Sequence, residues 1–150
     1  MDQRELQEKY FQSEILKSQL NVIAKERQSL QEKLMEIELT KATLSEIDGV
    51  EKGTTIWSSL GAGVFVKTSL EDKKKFMVNL GADVMCEKSM KEVLEILDKQ
   101  IGDIQKADKE LLKNAGKISE ELSKIDKELA KLVSVAQEHE QKLETKNNQR

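Results

Sequence analysis

The sequence has no proline, one cysteine, one histidine and only 3% aromatic residues in 150 positions. Long helices are therefore allowed, because no proline removes a backbone N–H group from them. The single cysteine, Cys86, excludes an internal disulfide and a cysteine-based metal cluster, which fits a reducing compartment. No nucleophile, second histidine or acid/base pair is recognisable near His139. The sequence therefore predicts no enzyme, catalytic residue, cofactor or metal site.

An excess of one charge and a long apolar run are also missing. The 25 basic and 28 acidic residues are balanced, so we expect no cationic stripe for nucleic acid or for an anionic membrane. The first residues, MDQREL, lack the apolar stretch of a signal peptide. No apolar run approaches the roughly 20 residues that cross a bilayer. We therefore expect a soluble, cytoplasmic protein that binds neither nucleic acid nor membrane.

Two long heptad patterns hold most of the apolar residues. The first seam comprises Leu6, Lys9, Ser13, Leu16, Leu20, Ile23, Arg27, Leu30, Leu34, Ile37, Lys41 and Leu44. The second comprises Met90, Leu94, Leu97, Ile101, Ile104, Asp108, Leu111, Ala115, Ile118, Leu122, Ile125, Leu129, Leu132, Ala136, His139 and Leu143. A seven-residue repeat sustained over this length predicts a left-handed coiled coil. Each narrow seam needs a cover, and an antiparallel hairpin of the two arms supplies it.

The predicted fold is thus mainly α: a long antiparallel coiled-coil hairpin with two short β-hairpins at its connecting end. We place the helices at residues 5–46 and 88–147 and the β-hairpins at residues 54–87, all within one domain of residues 1–150. Folding back would bring Leu44 close to Leu94. It would also bring Leu16 close to Ile118.

The stretch GAGVFVKT (Gly61–Thr68) differs by one residue from a nucleotide-binding P-loop. A P-loop needs glycine immediately before its lysine and a helix that begins there, so that backbone N–H groups face the phosphate. Here Val66 stands before Lys67, within a β-forming run. The segment also has a second copy twenty residues later, in which Glu87 replaces Lys67. An acidic residue would repel phosphate, so the pattern argues against nucleotide binding.

The two copies, IWSSLGAGVFVKTSL (Ile56–Leu70) and FMVNLGADVMCEKSM (Phe76–Met90), each predict a β-hairpin. With Gly-Ala as a two-residue type II′ loop, the predicted cross-strand pairs are Trp57 with Val66, Ser58 with Phe65, Met77 with Cys86, and Val78 with Met85. Short strands with apolar residues on both faces leave apolar area uncovered, so we expect these hairpins to meet hairpins of other subunits. The predicted oligomerisation residues are Ile56, Trp57, Leu60, Gly61, Val64, Phe65, Val66, Phe76, Met77, Val78, Leu80, Gly81, Val84 and Met85.

The order of a heptad arm, hairpins carrying LGAG and LGAD, and a second heptad arm resembles the archaeal α-type subunits of prefoldin. SLGAGVFVKTSL and VNLGADVMCEKSM carry most of this resemblance. It implies a β-barrel platform of joined hairpins from which coiled coils project. It also implies an ATP-independent chaperone that grips unfolded polypeptides at its tips and passes them to a group II chaperonin. Two assemblies remain open: a hexamer with prefoldin β subunits, or the self-assembled filament of the divergent γ type.

Apolar residues outside the seam near the free ends of the arms, here called the tips, also suggest that the chain holds other polypeptides. Large side chains there can offer weak, adaptable contacts while the balanced charge keeps the arms in solution. Alternatively, these residues cover one another when the arms close. A second hypothesis for the whole protein is a structural or filament-forming coiled-coil scaffold or adaptor. The predicted client-binding residues are Leu6, Tyr10, Phe11, Val133, Val135 and Leu143.

Overall fold

The computed structural model describes the backbone of residues 3–82 and 84–147 and the side chains of residues 4–82 and 84–135. The elements in chain order are α1 (Gln3–Gly49), β1 (Thr55–Gly61), β2 (Val64–Ser69), β3 (Lys75–Asn79), β4 (Met85–Ser89) and α2 (Met90–Asn147). Strands β1 and β2 form one antiparallel hairpin, and strands β3 and β4 form another. The predicted fold class, mainly helical with two short β-hairpins, is confirmed.

The chain divides into two compact units, and both contain a segment of each helix. The arm unit consists of α1 up to Ser29 and of α2 from Ala107 onward. The hairpin unit consists of Leu30–Lys106 and includes all four strands. The single domain expected over residues 1–150 stays a prediction.

In the arm unit, the two helix segments pack along the predicted seam. Its core is a cluster of the buried residues Leu16, Ile125 and Leu129, against which Leu6, Ile118 and Leu122 pack. Ile118 packs against the cluster that contains Leu16, and the predicted direct pairing of these two residues stays a prediction. Every predicted seam position of this unit with a described side chain is buried or half-buried. Truncating such a buried leucine to alanine costs about 2 to 5 kcal/mol, so this strip is a main source of stability.

Polar side chains occupy part of the same seam and pair across it. The Arg27 guanidinium binds the Asp108 carboxylate in a bidentate manner, with Nε–Oδ1 at 2.6 Å and Nη2–Oδ2 at 3.2 Å. This hydrogen-bonded pairing lowers the pKa of Asp108. Ser13, which is 2% exposed, donates a hydrogen bond to Asp126 Oδ1 at 3.3 Å. A residue later in α1 pairs with a residue earlier in α2, so the two segments run antiparallel. Each polar pair also favours one register of the two helices.

In the hairpin unit, the helix segments also meet along the seam. Leu44 and Val93 are buried there, and Lys41 forms an ion pair with Asp98. Val93 lies outside the predicted heptad, whose neighbouring member Leu94 is only half-buried. The start of α2 therefore turns a slightly different face to α1 than a strict seven-residue repeat predicts.

The C-terminal end of α1 is capped by a lysine from a distant loop. The last turn of α1 contains no basic residue that could bind the unpaired carbonyl groups there. Lys73, in the loop between β2 and β3, donates hydrogen bonds to the carbonyl oxygens of Asp48 at 2.7 Å and Val50 at 3.0 Å. A cation at this position also interacts favourably with the helix dipole. Lys73 thereby ties the connection between the hairpins to the end of α1.

The predicted register of both β-hairpins is wrong by one residue. The cross-strand pairs are Trp57 with Lys67, Ser58 with Val66, Ser59 with Phe65, Met77 with Glu87, Val78 with Cys86, and Asn79 with Met85. In the first hairpin, Gly61 pairs with Val64, and the register shifts between Ser59 and Gly61. The loop therefore lies one residue further along the chain than the predicted Gly-Ala loop.

Backbone angles explain this correction. In the first hairpin the loop residues Ala62 and Gly63 have φ of 50° and 77°, the positive signs that a type I′ turn requires at both central positions. Gly61, with φ of 98°, belongs to the bulge before the loop. The second hairpin repeats the values of Gly61 and Ala62, with φ of 101° at Gly81 and 48° at Ala82. The residue after the Leu-Gly pair is thus the first loop residue, not the second.

The near-match to a P-loop is part of the first hairpin. Gly61 ends β1, and Val64–Ser69 is strand β2. A phosphate-binding loop would need a helix that begins beside Lys67, whereas Lys67 lies within β2 and pairs with Trp57. The sequence GAGVFVKT therefore forms a β-turn and a strand.

Helix α2 begins with a capping box formed by Ser89 and Glu92. The Ser89 backbone N–H and side-chain hydroxyl each donate a hydrogen bond to Glu92 Oε2 at 2.9 Å, and the Glu92 N–H returns one to Ser89 Oγ at 3.4 Å. These bonds, together with one from Lys88, lower the pKa of Glu92 to about 2. The cap explains why α2 begins at Met90, directly after the last residue of β4.

The capping box predicts a specific loss of stability in acid. Because the pKa of Glu92 falls from 4.5 to about 2 on folding, its contribution is full above pH 4.5 and is lost as the pH falls through about 2. We expect Glu92→Gln to lower the melting temperature by a few degrees at pH 6 and by progressively less below pH 4.5. Circular dichroism melts across this range, with Glu95→Gln as the control, measure the effect. A difference that stays constant from pH 6 to pH 2 would contradict this role.

Candidate functional site

The first hairpin exposes nearly all of its apolar side chains. Trp57, which is 68% exposed, and Phe65, which is 57% exposed, project from one face together with Lys67. On the other face, the Ser58 and Thr68 hydroxyls lie 2.8 Å apart and share a hydrogen bond. The exposed apolar residues of this hairpin are Ile56, Trp57, Leu60, Val64, Phe65 and Val66. These are six of the residues that the sequence assigned to oligomerisation.

The second hairpin has one half-buried face and one exposed face. Phe76, Val78 and Cys86 are half-buried, and β3 borders a groove of about 780 Å³ whose other walls are segments of α1 and α2 within the hairpin unit. The groove wall includes Leu44 and Val93. The exposed apolar residues of this hairpin are Met77, Leu80, Val84 and Met85. The second hairpin is thus partly covered by its own chain, whereas the first is not.

The exposed faces of the two hairpins occupy equivalent positions in the repeat. In each case one exposed face consists of odd-numbered residues, which alternation and register place on one side of the hairpin. In hairpin 1 the even-numbered residues Ile56, Val64 and Val66 are exposed as well. The odd-numbered face of hairpin 1 includes Thr55, Trp57, Ser59, Phe65, Lys67 and Ser69, and that of hairpin 2 includes Lys75, Met77, Asn79, Met85, Glu87 and Ser89. Glu87 accepts a hydrogen bond from Lys75 at 3.0 Å, and this interaction raises the pKa of Lys75.

The predicted client-binding residues fall into three groups. Tyr10 and Val135 are just over half exposed, and Phe11 is 69% exposed. Leu6 packs against the buried cluster of the arm unit, and Val133 is half-buried. Leu143 lies outside the residues whose side chains are described, as does the seam residue His139. We call Tyr10, Phe11, Ile15 and Val135 the arm-end surface, because all four are exposed near the start of α1 or on α2 at the same end of the arm unit.

An ion pair stabilises the helices beneath the arm-end surface. Lys9 Nζ donates a hydrogen bond to Glu128 Oε2, and the contact raises the pKa of Lys9 and lowers that of Glu128. Lys9 occupies a seam position immediately before Tyr10 and Phe11. The pair therefore joins α1 to α2 on the inner side while these two rings face the solvent. Because Glu128 is about half exposed and Lys9 is partly exposed, the contribution of this pair is modest and weakens with salt.

Several exposed apolar residues are not among those predicted from the sequence. Val22, Met35, Leu39 and Leu112 are each more than half exposed and lie outside the heptad seam. Val22 borders a shallow groove between α1 and α2 in the arm unit, with Ile23 and Ile118 on its walls. Their position was the available signal: an apolar residue on the side of the helix away from the seam meets no second helix that could bury it.

The described part of the chain also bears on two further possibilities, a metal site and a membrane span. Within residues 4–82 and 84–135, no cluster of three histidine, cysteine or carboxylate side chains is positioned to hold a metal ion. Cys86 is a half-buried free thiol beside Val78 in the hairpin. Over the described part of the chain, neither helix is apolar enough to cross a membrane.

These features define the class of the protein: two long helices, paired along a heptad seam, with two short antiparallel β-hairpins between them in the sequence. A family profile described as prefoldin subunit matches residues 16–135. The chain is 34% identical over 103 residues to prefoldin subunit alpha of Methanococcus aeolicus, which covers 69% of each chain. The chain therefore belongs to the prefoldin subunit family, a family of chaperone subunits, and the resemblance seen in its sequence is confirmed.

Solved structures of prefoldins share the fold. Filamentous prefoldin from Methanocaldococcus jannaschii superposes with a TM-score of 0.74 at 17% identity, over 79% of this chain and 98% of that one. The prefoldin beta subunit from Thermococcus strain KS-1 gives a TM-score of 0.55 at 15% identity, over 86% of this chain and 92% of that one. At these identities the similarity concerns the fold alone.

The exposed first hairpin leads to a prediction about assembly. Val66 is an exposed β2 residue opposite Ser58, and an aspartate there would place a charge on any surface that covers this face. We expect Val66→Asp to abolish oligomerisation in analytical ultracentrifugation while circular dichroism shows that the helices still form. Val66→Thr, which keeps the branched shape and the strand preference, should assemble. A Val66→Asp protein that assembles like the unaltered chain would contradict the prediction.

Proposed function

We propose that this chain is a subunit of an ATP-independent chaperone that holds unfolded polypeptides through the ends of its coiled coil. In this proposal it works in the cytoplasm and delivers its clients to a group II chaperonin. Its β-hairpins join it either to prefoldin β subunits or to further copies of itself. The observation that carries the proposal is the arm-end surface, where Tyr10, Phe11 and Val135 remain exposed on paired helices.

The chemistry of the arm-end surface suits a weak and unselective grip. Aromatic side chains present a large apolar area but have only two rotatable side-chain bonds, so binding costs them little rotamer entropy. Unfolded polypeptides share exposed apolar side chains rather than a common sequence. A few apolar contacts on a helix can therefore bind many different clients without holding any of them tightly. Release would then need no nucleotide.

The surroundings of this surface support its exposure. Lys9, Ser13 and their partners on α2 hold α1 in register, so Tyr10 and Phe11 stay on the outer side of the pair. Charged residues make up 35% of the chain, and they limit association of the arms with one another. Apolar surface that is accessible yet set among charges favours transient binding over aggregation.

A second candidate function is a filament-forming scaffold whose arms act as spacers. The exposed faces of the hairpins favour self-association, and the fold is shared with a prefoldin that forms filaments. In this alternative the arm-end residues would have no clients. The two functions differ in what happens when the arm-end surface is removed from a protein that still assembles.

If the arm-end surface holds clients, its residues should matter for suppression of aggregation, whereas other exposed apolar residues of α1 should not. We expect Tyr10→Ser with Phe11→Ser and Val135→Ser to raise the concentration needed to suppress aggregation of an unfolded protein by about tenfold, which corresponds to about 1.4 kcal/mol of lost binding. Light scattering of a chemically denatured test protein, diluted without nucleotide, measures this. The matched control is Met35→Ser with Leu39→Ser, which removes exposed apolar area from α1 in the hairpin unit.

Deleting residues 1–11 and 133–150 provides a second test on the same assay. Assembly should survive this truncation, because the hairpin unit is intact, while suppression of aggregation should be lost. If both the triple variant and the truncated chain suppress aggregation as well as the unaltered protein, the arm ends hold no clients. The scaffold function would then be the better account.

A further inference from the structure

The two hairpins differ in how they are held to the helices of the hairpin unit. Hairpin 2, formed by β3 and β4, has a half-buried face, and its last strand continues directly into α2 through the Ser89 cap. In hairpin 1, formed by β1 and β2, the six large apolar side chains are between 39% and 69% exposed. Apolar packing therefore does little to fix hairpin 1 on the rest of the chain.

Backbone hydrogen bonds close hairpin 1 at its base. The Gly53 N–H donates to the Leu70 carbonyl oxygen at 2.8 Å, and the Leu70 N–H donates to the Thr54 carbonyl oxygen at 3.0 Å. These two bonds continue the pairing of the strands beyond the end of the ladder. Hairpin 1 and its base therefore form one hydrogen-bonded body, whose position depends on how residues 50–53 and 70–74 are held.

Lys73 fastens that base to α1. Its ammonium group donates hydrogen bonds to the carbonyl oxygens of Asp48 at 2.7 Å and Val50 at 3.0 Å. Hydrogen bonds from a cation are stronger than those between neutral groups, and Lys73 is half-buried, so water competes with them only in part. The chain thus leaves α1 at Gly49, forms hairpin 1, and is attached to the end of α1 again at Lys73.

The local turn directs Lys73 toward the end of the helix. The Lys74 N–H donates to Asp72 Oδ1 at 2.7 Å, which forms a tight side-chain turn with Lys73 at its centre. Earlier in the same loop, the Ser69 hydroxyl donates to Glu71 at 2.8 Å. As a result, Lys73 is half-buried while its neighbour Lys74 is exposed.

We propose that Lys73 is a positioning residue that fixes hairpin 1 on the end of α1 and presents it to its partner in one orientation. All the groups involved belong to the hairpin unit. The fastening itself needs no partner. Its consequence rests on the proposed assembly through the hairpins: a hairpin that is already held in place loses less conformational freedom when it binds. Without the Lys73 hydrogen bonds, hairpin 1 would swing as a body on residues 50–53 and 70–74.

Fluorescence of Trp57 tests the fastening, because the single tryptophan of the chain lies on β1. Lys73→Met keeps most of the length of the side chain but removes its hydrogen-bond donors. We expect it to raise the amplitude of the nanosecond component in the time-resolved anisotropy of Trp57 by about twofold, since released loops move on this timescale or more slowly. Lys73→Gln, which also loses the charge, should show the same rise.

A conservative variant and a matched control complete this experiment. Lys73→Arg can still donate to both carbonyl groups and should keep the slow decay of the unaltered side chain. Lys74→Met makes the same change on the exposed neighbour and should have no effect. Every chain in this comparison also carries Val66→Asp, so that no second copy holds the hairpin, and circular dichroism checks that the helices are intact. Equal decays for Lys73→Met and Lys73→Arg, or an equal rise for Lys74→Met, would overturn the fastening.

The same substitutions without Val66→Asp test the consequence for assembly. We expect Lys73→Met to raise the concentration required for assembly by about tenfold, which corresponds to about 1.4 kcal/mol, while Lys73→Arg and Lys74→Met assemble like the unaltered chain. Sedimentation velocity over a concentration series provides the readout. If Lys73→Met assembles normally although Trp57 is released, Lys73 fastens the hairpin but does not position it for a partner.

The Val66→Asp chain separates failure of this inference from failure of the proposed assembly. If Val66→Asp alone assembles like the unaltered chain, assembly through the hairpins is wrong, and the role of Lys73 in assembly fails with it. Hairpin 1 is then not covered by a partner, so the anisotropy comparison still decides whether Lys73 holds it on α1. If Val66→Asp prevents assembly but Lys73→Met changes neither anisotropy nor assembly, only the role of Lys73 is wrong.

Discussion

Each helix of this protein can bury only one narrow strip of its surface, because its partner is a single helix and not a wide core. The buried apolar residues of the described chain are Leu16, Leu44, Val93, Ile125 and Leu129. All are seam residues or lie directly beside the seam. Hydrophobic residues make up only 37% of the sequence, a supply that suits a strip but not a globular interior. Apolar residues on the far side of the helix from this strip, such as Phe11 and Leu39, therefore stay exposed on the single chain.

The exposed apolar residues lie on different kinds of element in the two units. In the arm unit, Tyr10 and Phe11 stand on a helix that the Lys9 ion pair and the buried cluster hold to α2. In the hairpin unit, exposed apolar residues are carried by short strands whose positions depend on local devices. The Ser89 cap joins β4 directly to α2, and Lys73 binds the end of α1. The exposed apolar side chains thus stand on helices in the arm unit and on strands and α1 in the hairpin unit.

Periodicity made the seam predictable, because packing against one helix selects positions spaced by three and four residues. The repeated Leu-Gly-Ala segments likewise located both hairpins. The register was missed since a II′ loop and an I′ loop both use glycine, and only the φ values of Gly61, Ala62 and Gly63 distinguish them. A shift of one residue moves Lys67 from a position opposite Ile56 to a position opposite Trp57, and the odd-numbered faces depend on that shift.

The arm-end surface was only partly predictable. Phe11 and Val135 were recognisable as apolar residues outside the seam, and they are exposed. Leu6 belongs to the seam itself, where packing against the cluster covers much of it. The exposure of Met35 and Leu39 follows from the same rule, but their place within the length of α1 gave no reason to expect a function.

Hydrogen exchange on the assembled full-length chain, with and without a chemically denatured client, tests the central claim most directly. We expect client binding to add protection at residues 4–15 and around Val135, with the strands equally protected in both states. Protection that appears on the hairpins instead, with the arm ends unchanged, would contradict the account.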